Sequence, residues 1–209
     1  MASAELVRAL AAAALALEGS ADELNRLDGY AGDGDLGITM IAAAHAVRDV
    51  LATAEEMSST QLLSACGSAL ARKAPSTSGT LVATGFLRAA KVVDVGAGPG
   101  VESLERCFNA AADGIKARGK ASVGDRTLVD GVDAVCASLR RSVAIGADIS
   151  QALADAAQAA EAAAEATVDM VPKVGRSSWV PERAAGHPDA GCAMLAIVVS
   201  AVAASVAAG

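Results

Sequence analysis

Five apolar residues, Leu128, Val132, Val135, Leu139 and Val143, follow one another at spacings of four, three, four and four. That rhythm returns to one face of an α-helix, whose turn takes 3.6 residues. It recurs at Leu6, Leu10 and Leu17, and again at Val101, Leu104, Phe108 and Ile115. No stretch reads as a convincing pair of strands, and no internal repeat is present. A helix with one apolar stripe must bury it against another element. A chain of 209 residues built this way is therefore expected to form one all-α domain, a bundle or barrel spanning residues 1–209.

Composition sharpens the expectation. Apolar residues make up 53% of the chain and aromatic ones only 2%. The core must come from Ala, Leu, Val and Ile. Small side chains let helices approach closely, and alanine has the highest helix propensity.

Read along the chain, helices are expected at 2–18, from a Ser20/Glu23 capping box to about Asp28, and from Asp35 to about Ala54. Others follow at Ser59–Lys73, about Ser78–Val93, on the 101–115 and 128–143 stripes, at Ile149–Val168 and at the C-terminus. That makes about eight substantial helices. Polar and glycine-rich breaks fall at Asp28–Gly37, Pro75–Gly79, Gly119–Thr127 and Pro172–Gly191. In an antiparallel bundle these four breaks could gather at one end.

A net charge of −7 argues against nucleic acid as a partner, because an acidic surface repels a phosphate backbone. It leaves room for a small phosphate ligand if metal ions bridge the repulsion. Cys66, Cys107, Cys136 and Cys192 share no C-x-x-C spacing and read as free thiols in a reducing cytosol. The N-terminus carries Glu5 and Arg8 where a secretion signal should be purely basic. Ala190–Gly209 has no charge and is long enough to span a bilayer, but lacks an aromatic belt and a basic anchor. A central helix buried on all sides, and no membrane partner, is the expectation.

The chemistry concentrates in "LDGYAGDGDLGITM", Leu27–Met40. Asp33 and Asp35 flank Gly34, and Asp28 lies five residues earlier. Three carboxylates in one turn repel unless cations sit between them, and hard oxygen ligands suit Mg²⁺ or Ca²⁺. An EF-hand is excluded, since Ala44 and Ala46 stand where its twelfth-position carboxylate would be. Spacing alone leaves metal binding and a solvated acidic turn both open.

Other strings compete for attention. "GIKARGKA", Gly114–Ala121, is nearly a phosphate-binding P-loop, but Ala121 cannot offer the magnesium-binding hydroxyl and the string ends a helix. "GAGPG", Gly96–Gly100, lacks the third glycine of a dinucleotide fingerprint. "APSTSGT", Ala74–Thr80, suits either an anion at a helix N-terminus or ordinary N-capping by Ser76, Thr77 or Ser78. The longest loop, Gly175–Gly191, holds Arg176, Glu182, Arg183, His187 and Asp189. Arg176 could meet a phosphate bidentately. His45 and His187 read as structural.

Four pieces in this order, "LNRLDGYAGDGDLG", "STSGTL", "GDRTLVD" and "GRSSWVPERAAGHPDAG", resemble the nucleotide-binding L subunit of dihydroxyacetone kinase. The same domain is also fused at the C-terminus of single-chain kinases. The resemblance spans nearly the whole chain. It implies an eight-helix antiparallel barrel with its active-site loops at one end. It implies two Mg²⁺ ions held by Asp28, Asp33 and Asp35, gripping the phosphates of ATP or of tightly bound ADP. The nucleotide contacts it implies are Leu36, Gly37, Ile38, Thr39, Thr77, Ser78, Arg176, Asp189, Ala190 and Gly191, with Gly119 and Leu128 on the adenine side.

The resemblance further implies a cytoplasmic kinase that phosphorylates a short ketose. A substrate-binding K-type subunit would hold the ketose, and Arg176 would offset charge during transfer. A phosphotransferase-system protein is the phosphodonor in one branch, and a homodimer or heteromer is expected. Two departures stand out: Leu36 replaces the histidine of "GDGDHG", and Ala190 replaces the proline of "DPG". Variation at the Leu36 position is tolerated in the ATP-using branches. Fatty-acid kinases carry a related domain with a different acidic string. The alternative function is a non-catalytic Mg-nucleotide-binding partner of a regulatory protein.

Overall fold

The computed structural model describes residues 4–93 and 100–208. Most of the Gly96–Gly100 string therefore lies outside the described residues. The helices are α1 (Ala4–Gly19), α2 (Ala21–Ala31), α3 (Leu36–Leu51), α4 (Ser59–Lys73), α5 (Thr77–Ala89), α6 (Val101–Gly119), α7 (Leu128–Ile145), α8 (Ile149–Ala166), α9 (Pro181–Ala184) and α10 (Ala190–Ala207). Short 3-10 turns cover Thr167–Asp169 and Arg176–Trp179, and no strand occurs among the described residues.

Eight of these helices are staves. In the order α1, α3, α4, α5, α6, α7, α8, α10, each packs on the next, and α10 closes the ring on α1. Successive staves run antiparallel, so their connections alternate between the two ends of the barrel. The α1–α3, α4–α5, α6–α7 and α8–α10 connections share one end. They contain the four polar breaks of the sequence. Helix α2 lies at that end, against α3 and α10.

Helix α7 shows how sequence becomes packing. A capping box starts it: the Thr127 hydroxyl accepts from the Val129 amide at 3.2 Å, and the Asp130 carboxylate accepts from the Thr127 amide at 2.8 Å. The stripe Leu128, Val132, Val135 and Leu139 is buried, and Val143 is partly buried. Truncating the fully buried Leu139 to alanine should cost about 2–5 kcal/mol, the usual range for a core leucine.

The centre of the ring is not filled. A cavity of ≈ 940 Å³ opens between the staves, lined by Leu10, Leu17, Phe86, Phe108, Leu195 and Val199 among others. A chain this poor in aromatic residues has few side chains long enough to meet across eight helices. This explains why α1, despite its leucine stripe, fully buries only Ala14.

Three sequence expectations are corrected. Ser20 makes no side-chain capping bond, and Glu23 pairs with Arg26 instead at 2.6 Å. Asp35 sits at the N-cap position of α3 but forms no capping bond. Helix α10 is not a central helix buried on all sides. It is a stave between α1 and α8, uniformly apolar because neighbouring helices cover part of it and the cavity meets Leu195, Val198, Val202 and Val206. By length and composition it could cross a membrane. Cys66, Cys136 and Cys192 form no disulfide, and burial pushes the thiols of Cys66 and Cys136 up to about 11.

Candidate functional site

The acidic loop is shaped by two glycines. Helix α2 ends with the Gly32 amide donating to the Asp28 carbonyl at 2.6 Å. A Cβ on Gly32 would stand 2.4 Å from Asp28 Oδ1, so only glycine leaves that carboxylate in place. The chain then turns at Gly34, whose φ of +74° lies in the left-handed region. The turn delivers the amides of Gly34 and Asp35 to Asp28 Oδ2 at 2.8 and 3.2 Å. Carboxylate oxygens of Asp28, Asp33 and Asp35 consequently lie within 4.8 Å of one another.

Asn25 frees Asp35 from capping duty. Its Oδ1 accepts from the amides of Gly37 at 2.7 Å and Ile38 at 3.2 Å, which caps α3 from the neighbouring helix. The Thr39 amide donates to the Asp35 carbonyl at 3.0 Å. Three of the four amides in Leu36–Thr39 thus have partners within the protein.

The triad's electrostatics are uneven. Burial pushes the Asp28 carboxyl above its ordinary value. The two amides offset part of this, while the charges of Asp33 and Asp35 add to it. At Asp33 desolvation acts upward, but its own amide and the Arg176 guanidinium outweigh it and hold the carboxyl low. A half-buried carboxylate beside two exposed ones, all hard oxygen donors, fits a small divalent cation.

The α8–α10 connection folds over this loop. Arg176, at the start of a 3-10 turn, forms an ion pair with Asp33. Arg183 donates to the Gly29 carbonyl at 2.8 Å. The His187 ring stacks on Tyr30 with centroids 3.5 Å apart, and Arg26 donates to the Tyr30 hydroxyl at 2.9 Å. At the base of the connection, the Arg126 side chain donates to the carbonyls of Thr167, Ala184 and His187. Asn25, Tyr30 and Arg126 are the residues that the sequence does not single out, and Arg183 is named only as a member of the longest loop, with no role. The only available signal was their position inside or beside the four polar breaks.

The remaining candidates lie at helix termini on the same end. Ser76 caps α5, its hydroxyl accepting from the Gly79 amide at 3.0 Å, so Thr77 and Ser78 occupy the first turn. Asp189 caps α10, its carboxylate accepting from the Cys192 amide at 2.9 Å. Desolvation pushes the Asp189 carboxyl up to about 6. A side chain at Gly191 would meet Leu128 at 3.1 Å, so the starts of α7 and α10 abut beside Ala190. Gly119 closes α6 next to Leu81 of α5. Lys120 follows with a left-handed φ of 52°, which confirms the near-P-loop string as a helix end. His45 is outside this group, 62% exposed beside Glu18 at 3.6 Å.

Residues 30–204 match the DAK2 domain. The chain is 38% identical over 207 residues to the D-erythrulose kinase of Mycolicibacterium smegmatis, which covers 97% of this chain and 35% of that protein. It is 34% identical over 168 residues to the PEP-dependent dihydroxyacetone kinase, ADP-binding subunit DhaL, of Escherichia coli, covering 80% of each. The fold matches the C. freundii dihydroxyacetone kinase crystal structure in complex with AMP-PNP and Mg²⁺. The TM-score is 0.77 at 28% identity, covering 98% of this chain and 34% of that one. This chain belongs to the DAK2 domain family. It spans about a third of the length of D-erythrulose kinase and about four fifths of the DhaL subunit.

Proposed function

We propose that this chain is the nucleotide-binding, phosphoryl-donating unit of a short-ketose kinase. The observation that carries the proposal is the convergence of Asp28, Asp33 and Asp35 at the loop-bearing end of the barrel, with Arg176 opposite. The kinase names of its relatives, and the AMP-PNP and Mg²⁺ in a protein of the same fold, support it.

Asp28, Asp33 and Asp35 would hold two Mg²⁺ ions, which supply charge neutralisation to the nucleotide phosphates. Arg176 would take up further phosphate charge. Leu36–Thr39, Thr77 and Ser78 border the phosphates in this reading. Gly119, Leu128, Asp189, Ala190 and Gly191 border the rest of the nucleotide. The protein's part in the reaction is positioning and electrostatic stabilisation.

Both histidines of the chain are otherwise engaged, His45 beside Glu18 and His187 on Tyr30. In this reading, as the family resemblance implies, the ketose is held by a K-type substrate-binding unit, which would form a heteromer with this one in the cytoplasm. The phosphate would come from ATP, or from a phosphotransferase-system protein through tightly bound ADP. ADP retained through purification separates the second route from the first.

The test is a coupled ADP-release assay with Mg-ATP and dihydroxyacetone, with and without a K-type unit. Ketose-dependent turnover only in its presence is expected. Turnover by this chain alone would overturn the division of labour, and failure to bind Mg-nucleotide would overturn the whole reading.

A further inference from the structure

Arg126 is a buried arginine, 2% exposed, with a left-handed backbone φ of 61°. Both features are unfavourable in isolation. A non-glycine residue in that region costs about 1 kcal/mol or more, and a buried guanidinium is tolerated only with its hydrogen bonds made. Here they are made to backbone carbonyls at both ends of one connection. Nε donates to Thr167 at 2.8 Å, and Nη2 donates to Ala184 and His187 at 2.6 Å each.

The barrel has other means of holding its staves. Helix α7 carries its own Thr127–Asp130 capping box, and α8 and α10 pack along each other. What Arg126 grips is the stretch that reaches the acidic loop. Ala184 adjoins Arg183, which holds the Gly29 carbonyl, and His187 stacks on Tyr30. Gly29 and Tyr30 directly follow Asp28. The contacts thus run unbroken from Arg126 through the 167–189 connection to the metal-site aspartate. The Arg126 charge also acts on Asp189, favouring its ionised form against desolvation.

We propose that Arg126 is a positioning residue for phosphoryl transfer: it sets the reach of the 167–189 connection so that Arg176 stands opposite Asp33. The inference rests on the proposed donor site. It also has a consequence that needs no nucleotide, because Trp179 is the sole tryptophan, lies three residues beyond Arg176 and is 80% exposed. Its fluorescence anisotropy reports how firmly the connection is held.

The experiment compares the full chain with Arg126→Lys and Arg126→Met by circular dichroism, Trp179 anisotropy and calorimetric Mg-ADP affinity. Lysine keeps the charge but not the planar fork that spans three carbonyls, so it should not rescue. Both variants should keep their helical signal, lose Trp179 anisotropy and bind Mg-ADP about 10- to 100-fold more weakly, the usual effect of removing an outer-shell support. Unchanged anisotropy, affinity within about twofold of wild type, or loss of the helical fold in both variants would overturn the role. If wild type itself fails to bind Mg-ADP, the donor-site reading falls, and the anisotropy comparison still decides whether Arg126 holds the connection.

Discussion

Arg176 and Asp33, 143 residues apart in the chain, form an ion pair across the loop-bearing end of the barrel. Their side chains are 55% and 43% exposed, so solvent screens the pair and it should add at most about 1 kcal/mol to stability. Arg176→Ala is therefore expected to leave the melting temperature within a few degrees of wild type. It should weaken Mg-ADP binding about tenfold or more, because the charge-assisted bond to phosphate proposed for Arg176 would be lost. Thermal denaturation and calorimetry on the same sample measure both. Wild-type affinity in the variant would remove Arg176 from the donor site.

Gly32 tests the shape of the acidic loop without touching a carboxylate. A methyl at this position would displace the Asp28 side chain, whose Oδ1 would lie 2.4 Å away. Gly32→Ala should retain the helical content of the protein while lowering Mg²⁺-dependent nucleotide affinity about 10- to 100-fold. Magnesium titration in the presence of ADP gives the answer. An unchanged magnesium requirement would mean that Asp28 does not need its present position.

The acidic loop was legible in the sequence because three aspartates among glycines are costly to bring together without cations. The staves were legible because periodicity is a local signal, as the 128–139 stripe and the buried face of α7 show. The supports were not legible. Asn25 reaches Gly37 across 12 residues, and Arg126 reaches Thr167, Ala184 and His187 across 41 to 61. Nothing periodic marks such contacts; they follow from the antiparallel ring that brings the loops to one end. The role of α10 was misread for a related reason. Its uniform apolarity fits burial by protein on all sides, and equally a stave facing an apolar cavity.

Stability should carry a signature of Asp189. Desolvation pushes its carboxyl up to about 6 from an ordinary value of 3.8. The folded chain thus binds this proton more tightly than the unfolded chain. The associated stabilisation is complete below 3.8 and is lost as pH rises through about 6. Asp189→Asn keeps a side-chain oxygen for capping but cannot titrate. Between pH 7 and pH 4, wild type should gain melting temperature relative to this variant. A difference that stays flat over that range would contradict the desolvation of Asp189.

Lys120 tests the rejected phosphate loop. It is exposed and terminates α6 in the left-handed region. Lys120→Ala should leave Mg-ADP affinity within about twofold, and Lys120→Gly should raise stability by roughly 0.5–1 kcal/mol, because glycine adopts that backbone without strain. Equilibrium denaturation and calorimetry measure the two. Loss of turnover by several hundredfold in Lys120→Ala would reinstate the lysine as a direct transition-state contact.

The most direct measurement is calorimetric titration of ADP into wild type, Asp33→Ala and Asp35→Ala, with magnesium and with a chelator. Wild type should bind ADP only with magnesium present. Both variants should lose that binding while keeping the circular dichroism of an all-α protein. ADP binding by the two variants at wild-type affinity, or by wild type equally well without magnesium, would contradict the claim that Asp28, Asp33 and Asp35 form a metal–nucleotide site.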